Sequence, residues 1–243
     1  MTQFSYSRVS QFQQCPLKFK FHYIDKVEVD RYPNADDPLL LGKTMDTGLE
    51  HGFEEAFHYY RSEYPYVDQA SEVELTKLKH WIEKLTPQFE GGQFQLELSN
   101  DWFLGYADYY RDGYLCDFKY ASRNSVERYR NSAQLHLYYN IMTNMGYKID
   151  KMEYVIIPKV MIRQKKTESP KMFHDRLIEE LEATEIIRVP VEYDPKYLTE
   201  FGNSINDITM ANTHNEFPPV INKYCSYCEY NDMCEEYKQT LKY

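Results

Sequence analysis

The spacing of apolar residues changes along the chain, from a helical period at first to strict alternation near its middle. The helical part predicts a short helix capped by Ser7, a helix at about 39–61 and another at about 72–85. The alternating part predicts three strands, and helices and strands follow in mixed order. These elements are strands at 94–98, 102–110 and 114–120, a helix at 125–145, a strand at 152–157, a basic loop at 163–171, a helix at 173–181, a strand at 185–191 and a helix at 195–210.

This order of elements predicts an α/β or α+β core in one domain, 1–243. Of 243 residues, 42% are hydrophobic and 27% charged, which excludes disorder as the main state. No apolar run approaches the ~20 residues of a membrane span, and the first residues do not resemble a secretory signal. We therefore expect a soluble, cytoplasmic protein without membrane contact.

The net charge of -10 disfavours nucleic-acid binding in general. Metal-dependent enzymes are an exception, since divalent cations neutralise part of their carboxylate excess, so a nucleic-acid substrate is not excluded. The 24 tyrosines have two interpretations. They are typical of half-buried packing, and they would also serve as platforms on which bases stack.

A hairpin carries the first chemical signal. If Asp112-Gly113 is a two-residue turn, Asp108 and Asp117 lie opposite each other, with Cβ atoms about 4.5–5.5 Å apart. Lys119 then shares the face of Asp117, while Cys116 and Phe118 point into apolar packing. Such a group suits a divalent cation and phosphodiester hydrolysis. A solvated face with an ordinary Asp–Lys pair is the alternative, and a three-residue turn would separate the two aspartates.

Asp108 followed by Asp117-Phe118-Lys119 resembles the core motif of the PD-(D/E)XK nuclease superfamily, and Gly105 is similar to a glycine of its RecB-like branch. The resemblance implies a restriction-endonuclease-like core at 39–210, with a central mixed sheet flanked by helices. It implies that Asp108, Asp117 and the Phe118 carbonyl bind Mg²⁺ or Mn²⁺, and that Lys119 is catalytic.

Downstream, Gln134-Leu135-His136-Leu137-Tyr138 resembles the Q-x-x-x-Y motif of the same branch. Gln134 and Tyr138 share one helix face, and the resemblance implies that they contact DNA. An acidic residue on the preceding strand approaches the metal in some members, which makes Glu97 a further candidate; a surface glutamate is the simpler interpretation. Tyr120 departs from the family, which usually has a small hydroxyl residue after the lysine.

The family's upstream histidine is replaced here by Asp46, within Gly42-Lys43-Thr44-Met45-Asp46-Thr47-Gly48-Leu49-Glu50. His51 lies nearby, but helical periodicity places it on the polar side of the predicted helix. Asp46 instead belongs to a mostly apolar stripe with Leu49, Phe53, Ala56, Phe57 and Tyr60. An inward carboxylate needs a partner, so Asp46 is predicted as an additional metal ligand.

Five cysteines in a cytoplasmic chain do not indicate disulfides. Cys15, Cys225, Cys228 and Cys234 resemble the iron–sulfur clasp of AddB-type nucleases and CRISPR-associated adaptation exonucleases. This resemblance implies a 4Fe–4S cluster that joins 1–30 to 215–243 as a subdomain. Zinc in the same ligands and four unligated thiols remain alternatives.

Together these motifs predict a metal-dependent DNA exonuclease that acts on free ends in end processing, recombination or spacer capture. The resemblance implies a bacterial, archaeal or phage setting, with a single-strand annealing or binding protein or a CRISPR integrase as partner. No G-x-x-x-x-G-K-[ST] motif is present, so a fused helicase is not expected. The alternative is a non-catalytic DNA-binding or assembly protein that keeps the clasp; a small-molecule iron–sulfur enzyme is disfavoured because four cysteines leave no open iron position.

Overall fold

A computed structural model describes residues 3–30, 32–222 and 225–240, with side chains to residue 235. Its centre is a five-stranded sheet in the order β1-β2-β3-β4-β5, with helices on both faces. The strands are β1 (Gln93–Ser99), β2 (Leu104–Arg111), β3 (Tyr114–Ala121), β4 (Lys151–Pro158) and β5 (Ile187–Val191). The helices are α1 (Tyr6–Gln14), α2 (Pro16–Phe19), α3 (Pro38–His51), α4 (Phe53–Glu63), α5 (Gln69–Phe89), α6 (Val126–Arg130), α7 (Gln134–Asn144), α8 (Pro170–Glu182), α9 (Lys196–His214) and α10 (Asn231–Thr240).

The sheet is mixed, as the resemblance implied. Strands β1, β2 and β3 form an antiparallel meander, β3 and β4 are parallel, and β5 is antiparallel to β4. The turn between β2 and β3 has two residues, Asp112 and Gly113, with φ of 47° and 85°. These positive angles are those of the turn that matches strand twist, so the predicted turn is confirmed. The paired residues beside it are Arg111 with Tyr114, Tyr110 with Leu115, and Tyr109 with Cys116.

Each face of the sheet has its own apolar core. The first core packs α3, α4, α5 and α8 against Cys116 and Phe118, both buried as predicted. The second core packs α1, α7 and α9 against residues of the opposite face of β3 and β4, including Leu115 and Tyr154. A third, small cluster joins the two ends of the chain through Leu17, Phe21 and Tyr230. Central strand β3 is therefore covered on both sides.

Several predicted boundaries are wrong for local reasons. The helix predicted at 39–61 is two helices, because Gly52 adopts φ 93° between α3 and α4. The proposed apolar stripe therefore spans a break, and within it Phe57 is 37% exposed whereas Tyr60 is fully buried. Ser5, not Ser7, caps α1 by accepting a hydrogen bond from the Arg8 amide at 3.1 Å. The helix predicted at 125–145 is likewise divided into α6 and α7.

No helix within the described residues is long and apolar enough to cross a membrane. The division into a catalytic core at 39–210 and an end subdomain at 1–30 and 215–243 stays a prediction. Parts of both end segments lie outside the described residues.

Candidate active site

The predicted carboxylate pair forms where the β2–β3 ladder stops. The last backbone pair is Tyr109 with Cys116, one position before Asp108 and Asp117. Oδ2 of Asp108 accepts the Phe118 amide hydrogen at 2.9 Å, a role that a β2 carbonyl would fill in a continued ladder. The carboxyls of Asp108 and Asp117 lie within hydrogen-bonding reach of each other. The hairpin thus brings the two acids together, by a side-chain contact rather than by direct strand pairing.

Asp117 is the most constrained carboxylate of the site. Its side chain is 0% exposed, and Oδ2 contacts the ammonium group of Lys119. Neither oxygen of Asp117 accepts a well-directed hydrogen bond from any described residue. Burial, reinforced by the charge of Asp108, raises the pKa of Asp117 to about 7. A buried carboxylate whose oxygens lack directed hydrogen bonds fits a divalent cation, to which these oxygens would be ligands.

Lys119 is the cation that the structure places beside these acids. Burial alone would lower the pKa of Lys119, but the charges of Asp117 and Asp108 outweigh it and raise that pKa well above its usual range. The side chain of Lys119 is therefore protonated at neutral pH and partly exposed. Its chemistry is charge stabilisation rather than proton abstraction.

Asp46 approaches the same group from α3. It is half-buried. Burial raises its pKa well above the usual range, and the charge of Asp108 is the next largest cause. His51 lies elsewhere: its side chain is 56% exposed, with Nε2 3.6 Å from a carboxylate oxygen of Glu50. Helical periodicity therefore distinguished Asp46 from His51. We call Asp46, Asp108, Asp117 and Lys119 the carboxylate site.

Gln134 and Tyr138 form a pair on α7 beside the carboxylate site. Nε2 of Gln134 donates to Oη of Tyr138 at 3.0 Å. Tyr138 is buried, and its pKa is raised first by burial and then by the charge of Asp117. Gly105 makes room for this packing, since a Cβ there would lie 2.7 Å from Cε1 of Phe103 and 3.3 Å from Cε1 of Tyr138.

The model of the PD-(D/E)XK nuclease superfamily matches the chain in two overlapping segments, residues 3–115 and 110–235. The chain belongs to this superfamily. Membership indicates a nuclease with DNA as its substrate class. Among solved structures, the crystal structure of SSO0001 is similar with a TM-score of 0.37 and 15% identity over 93% of this chain and 96% of that chain. No curated protein matches the sequence.

Glu97, the further candidate, lies on β1, and Tyr120, which departs from the family pattern, lies on β3. Glu97 is exposed on β1, opposite Tyr106. Tyr120 points to the other sheet face, where its hydroxyl is buried without a hydrogen-bond partner among the described residues. Burial, followed by the charge of Glu74, raises the pKa of Tyr120 well above its usual range. Neither residue is among the charged neighbours of Asp117.

The basic loop is fixed by an acidic residue. Glu168 accepts hydrogen bonds from the Lys165 amide at 2.8 Å and from Nε of Arg176 at 2.7 Å. Arg176 also donates to the Arg163 carbonyl at 2.9 Å. Glu168 therefore fixes the conformation of the loop and pairs with Arg176 of α8.

Sequence reasoning missed two residues at the site, Gln95 and Tyr154. Tyr154 lies beside Asp117 in the parallel β3–β4 pairing and is 0% exposed. Its Oη accepts the Leu135 amide hydrogen at 3.3 Å, at the start of α7. The register of two parallel strands joined by a long connection leaves no local signal, so nothing in the sequence placed Tyr154 there. Gln95 is on β1, and its side chain reaches Asp108.

The four predicted cluster ligands line one cavity of about 50 Å³. These ligands are Cys15, Cys225, Cys228 and Cys234. Two backbone amides approach their sulfurs: Val220 N lies 3.5 Å from Sγ of Cys15, and Asn222 N lies 3.3 Å from Sγ of Cys225. Across the described part of the chain, no group of three or more His, Cys, Asp or Glu side chains stands close enough to hold a metal ion as placed. The iron–sulfur cluster therefore stays a prediction, and so does the binding of a divalent cation by Asp46, Asp108 and Asp117.

Proposed function

We propose that this protein is a divalent-metal-dependent deoxyribonuclease, and that it acts as an exonuclease on DNA ends. One observation carries the proposal: buried Asp117 has two oxygens without directed hydrogen bonds, beside Asp108 and the ammonium group of Lys119. Lys119 is one ammonium group beside two buried carboxylates, so a bound divalent cation would offset the remaining cost of burying their charges. Two acids and a lysine on neighbouring strands of a sheet are the groups that phosphodiester hydrolysis requires.

Each residue of the carboxylate site has a proposed role. Asp108, Asp117, Asp46 and the Phe118 carbonyl would hold Mg²⁺ or Mn²⁺. When bound, the cation supplies Lewis acidity and activates water. Lys119 stabilises negative charge that develops on the phosphate, because its side chain is protonated and reaches the surface.

Gln134 and Tyr138 are proposed to orient the DNA strand beside the scissile phosphate. Their mutual hydrogen bond fixes both side chains, and Tyr138 lies within electrostatic range of Asp117. The similarity of this pair to the RecB-like motif supports action at DNA ends. The process would be end trimming for recombination or spacer capture, with a single-strand annealing or binding protein or an integrase as partner.

The chain ends are proposed to hold a 4Fe–4S cluster, with zinc as the alternative. The donor set fits, because four cysteines surround one cavity and amide groups point at two of their sulfurs. Leu17 and Tyr230 already join the two segments by apolar packing. The cluster would reinforce this junction and take no part in hydrolysis.

The nuclease proposal is tested with end-labelled linear and covalently closed circular DNA, single- and double-stranded, in Mg²⁺, Mn²⁺ or chelator. We expect wild-type protein to degrade linear DNA from its ends only with metal. Asp117→Asn and Lys119→Met should lose activity by about 100-fold or more. Asp207→Asn, at an exposed aspartate of α9, is the matched control and should keep full activity. Degradation that persists in both site variants would refute the proposed site, and cleavage of circles would refute the exonuclease assignment.

A second function rests on the replacement of the family histidine by Asp46. It is a DNA-binding or assembly protein without hydrolytic activity. The same assay distinguishes the two functions, since a binding protein would retain labelled DNA on a filter and leave it intact in every metal tested.

A further inference from the structure

The backbone of β1 is distorted at one residue. Gln95 has φ 47° although it lies inside the strand, whereas Asp112 has a similar angle in a turn and Asn215 has one at a helix end. The left-handed region is unfavourable for a glutamine and is seldom occupied in a strand. A distortion of this kind persists only where surrounding contacts hold it, and such positions concentrate at functional sites.

The distortion moves neighbouring side chains to opposite faces of the sheet. Phe94 packs against Tyr109 in the first core, with ring centroids 5.1 Å apart, whereas Leu96 packs in the second core. In a regular strand the two would share a face. Register is unchanged across the break, since Phe94 still pairs with Tyr109 and Leu96 with Ala107. The reversal is therefore produced by rotation at Gln95, without an inserted residue.

Strand β2 reverses at the matching position. Ala107 lies in the second core and Tyr109 in the first. The residue between them is Asp108, which the register places across from Gln95 at the step where the pairing of β1 and β2 is interrupted. The two strands thus change faces together at the Gln95–Asp108 position. This change frees Asp108 from the regular ladder and lets its carboxylate reach the Phe118 amide.

The side chain of Gln95 completes the contacts of that carboxylate. Its Nε2 donates to Oδ1 of Asp108 at 3.4 Å, while Oδ2 accepts from Phe118. Both oxygens of Asp108 are therefore oriented by neutral donors. A neutral amide orients the carboxylate without adding a fourth acid to Asp46, Asp108 and Asp117.

We propose that Gln95 is a positioning residue for the nuclease reaction, holding the Asp108 carboxylate in the orientation in which it binds the divalent cation. The inference rests on the proposed metal-dependent function. Supporting groups that hydrogen-bond to a ligating carboxylate typically change metal affinity or activity about 10–100-fold when removed. Gln95 acts through Asp108 and need not touch the substrate.

Two variants separate the effect of the Gln95 side-chain amide from the effect of its positive φ. Gln95→Met keeps the length of the side chain and removes the donor. Gln95→Gly also removes the donor but relieves the left-handed angle, so it should unfold at the wild-type temperature or above it. Gln93→Gly, at an exposed position with regular pairing on the same strand, is the control and should lower the unfolding temperature while leaving metal binding unchanged.

The readouts are the unfolding temperature in chelator, the Kd for Mn²⁺ alone measured by electron paramagnetic resonance, and kcat and KM on linear DNA. We expect both Gln95 variants to weaken Mn²⁺ binding and lower kcat about tenfold or more, with KM little changed. Gln95→Gly should do so without loss of stability. This combination excludes a merely structural role, in which activity and unfolding temperature would fall together.

The outcomes also separate this inference from the proposed function. If wild-type protein binds Mn²⁺, Asp117→Asn abolishes binding and Gln95→Met binds like wild type, the positioning role is wrong and the metal site stands. If wild-type protein binds no Mn²⁺ and cleaves no DNA, both proposals fail. An activity loss in Gln95→Gly that only parallels a lower unfolding temperature would also overturn the positioning role.

Discussion

The backbone amide of Phe118 donates to Oδ2 of Asp108 across a distance of 2.9 Å. An acidic side chain thereby takes the place of a main-chain acceptor between two neighbouring strands. The carboxylate is anchored to the sheet at one oxygen, and the second oxygen receives the amide of Gln95. Both donors are neutral, so they do not neutralise the negative charge of the acids. Lys119 and a bound cation would have to do so.

Asp46 should be required for activity, and His51 should not. The half-buried Asp46 on α3 lies close enough to Asp108 for their charges to interact, whereas the side chain of His51 is mostly exposed. We expect Asp46→Asn to reduce DNA hydrolysis by roughly 10–100-fold, as for other groups that set metal affinity. His51→Ala should retain activity within about twofold. Initial rates over a Mn²⁺ titration measure both effects.

Added metal distinguishes binding from chemistry in the Asp46 variant. If Asp46 contributes to cation binding, high Mn²⁺ should restore part of the rate of Asp46→Asn. A wild-type rate for Asp46→Asn together with a strong loss for His51→Ala would reverse the assignment of the two residues.

The contribution of Asp117 to the stability of the metal-free protein should fall as pH rises from about 4 to about 8. The pKa of Asp117 is raised from 3.8 to about 7, so the folded state holds a proton that the unfolded state has lost. That stabilisation is fully present below pH 3.8 and is lost as pH rises through about 7. Lys119 does not contribute in this window, because its pKa is raised from 10.5. The unfolding temperature in chelator measures the effect.

Mn²⁺ should stabilise the protein more at pH 8 than at pH 5, because the cation binds deprotonated carboxylates. Asp117→Asn should flatten the pH dependence by roughly 5 °C, since each kcal/mol changes the unfolding temperature by about 2–4 °C in a domain of this size. If the unfolding temperature in chelator depends on pH between 5 and 8 in the same way for Asp117→Asn and wild type, the raised pKa of Asp117 is contradicted.

The hairpin could be predicted from sequence because its information is local. Asp112-Gly113 determines the turn, the turn determines the register, and the register brings Asp108 near Asp117. The position of Asp46 followed in the same way from helical periodicity, although the break at Gly52 was missed. An isolated glycine inside a helical pattern is tolerated often enough that the pattern alone does not reveal the break.

The remaining features of the site depend on contacts between distant segments. From the sequence, Gln95 looks like an ordinary exposed residue of an alternating strand. Its positive φ arises because the side chains of β1 and β2 switch sheet faces at the same step. Tyr154 reads as a strand residue whose neighbour across the sheet is set by a parallel crossover. Neither arrangement has a signature in the residues that flank it.

Tyr154 should position α7. Its hydroxyl accepts the Leu135 amide, a donor that has no partner within the helix because it lies in the first turn. We expect Tyr154→Phe to lower the free energy of unfolding by about 1–3 kcal/mol and to raise KM for DNA through Gln134. Tyr139→Phe, on the same helix and stacked on Tyr193, is the control. Equal KM values for Tyr154→Phe and wild type would show that α7 is positioned by its apolar face alone.

The four cysteines at the chain ends should act as a unit. If they hold a cluster, Cys225→Ser should remove iron and sulfide from anaerobically purified protein and lower its unfolding temperature. Cys116→Ala is the control, since Cys116 is buried in the first core, remote from the other thiols in the fold, and should not change metal content. Elemental analysis distinguishes iron from zinc. Wild-type protein that contains neither metal would contradict the cluster. The two chain ends would then be joined without a metal, by contacts such as the apolar packing of Leu17 and Tyr230.

The packing of α3 against α5 should depend on Gly48. A Cβ at Gly48 would lie 2.6 Å from Cγ1 of buried Ile82 on α5, so Gly48→Ala should cost about 1–3 kcal/mol. Gly42 lies on the same helix, and a Cβ there would meet no atom within 4 Å, so Gly42→Ala should instead stabilise the protein by about 0.5–1 kcal/mol. Chemical denaturation measures both changes. Ile82→Val should relieve part of the clash in Gly48→Ala. If the changes in the free energy of unfolding of Gly48→Ala and Ile82→Val are instead additive in the double mutant, α3 and α5 do not approach as closely as the fold requires.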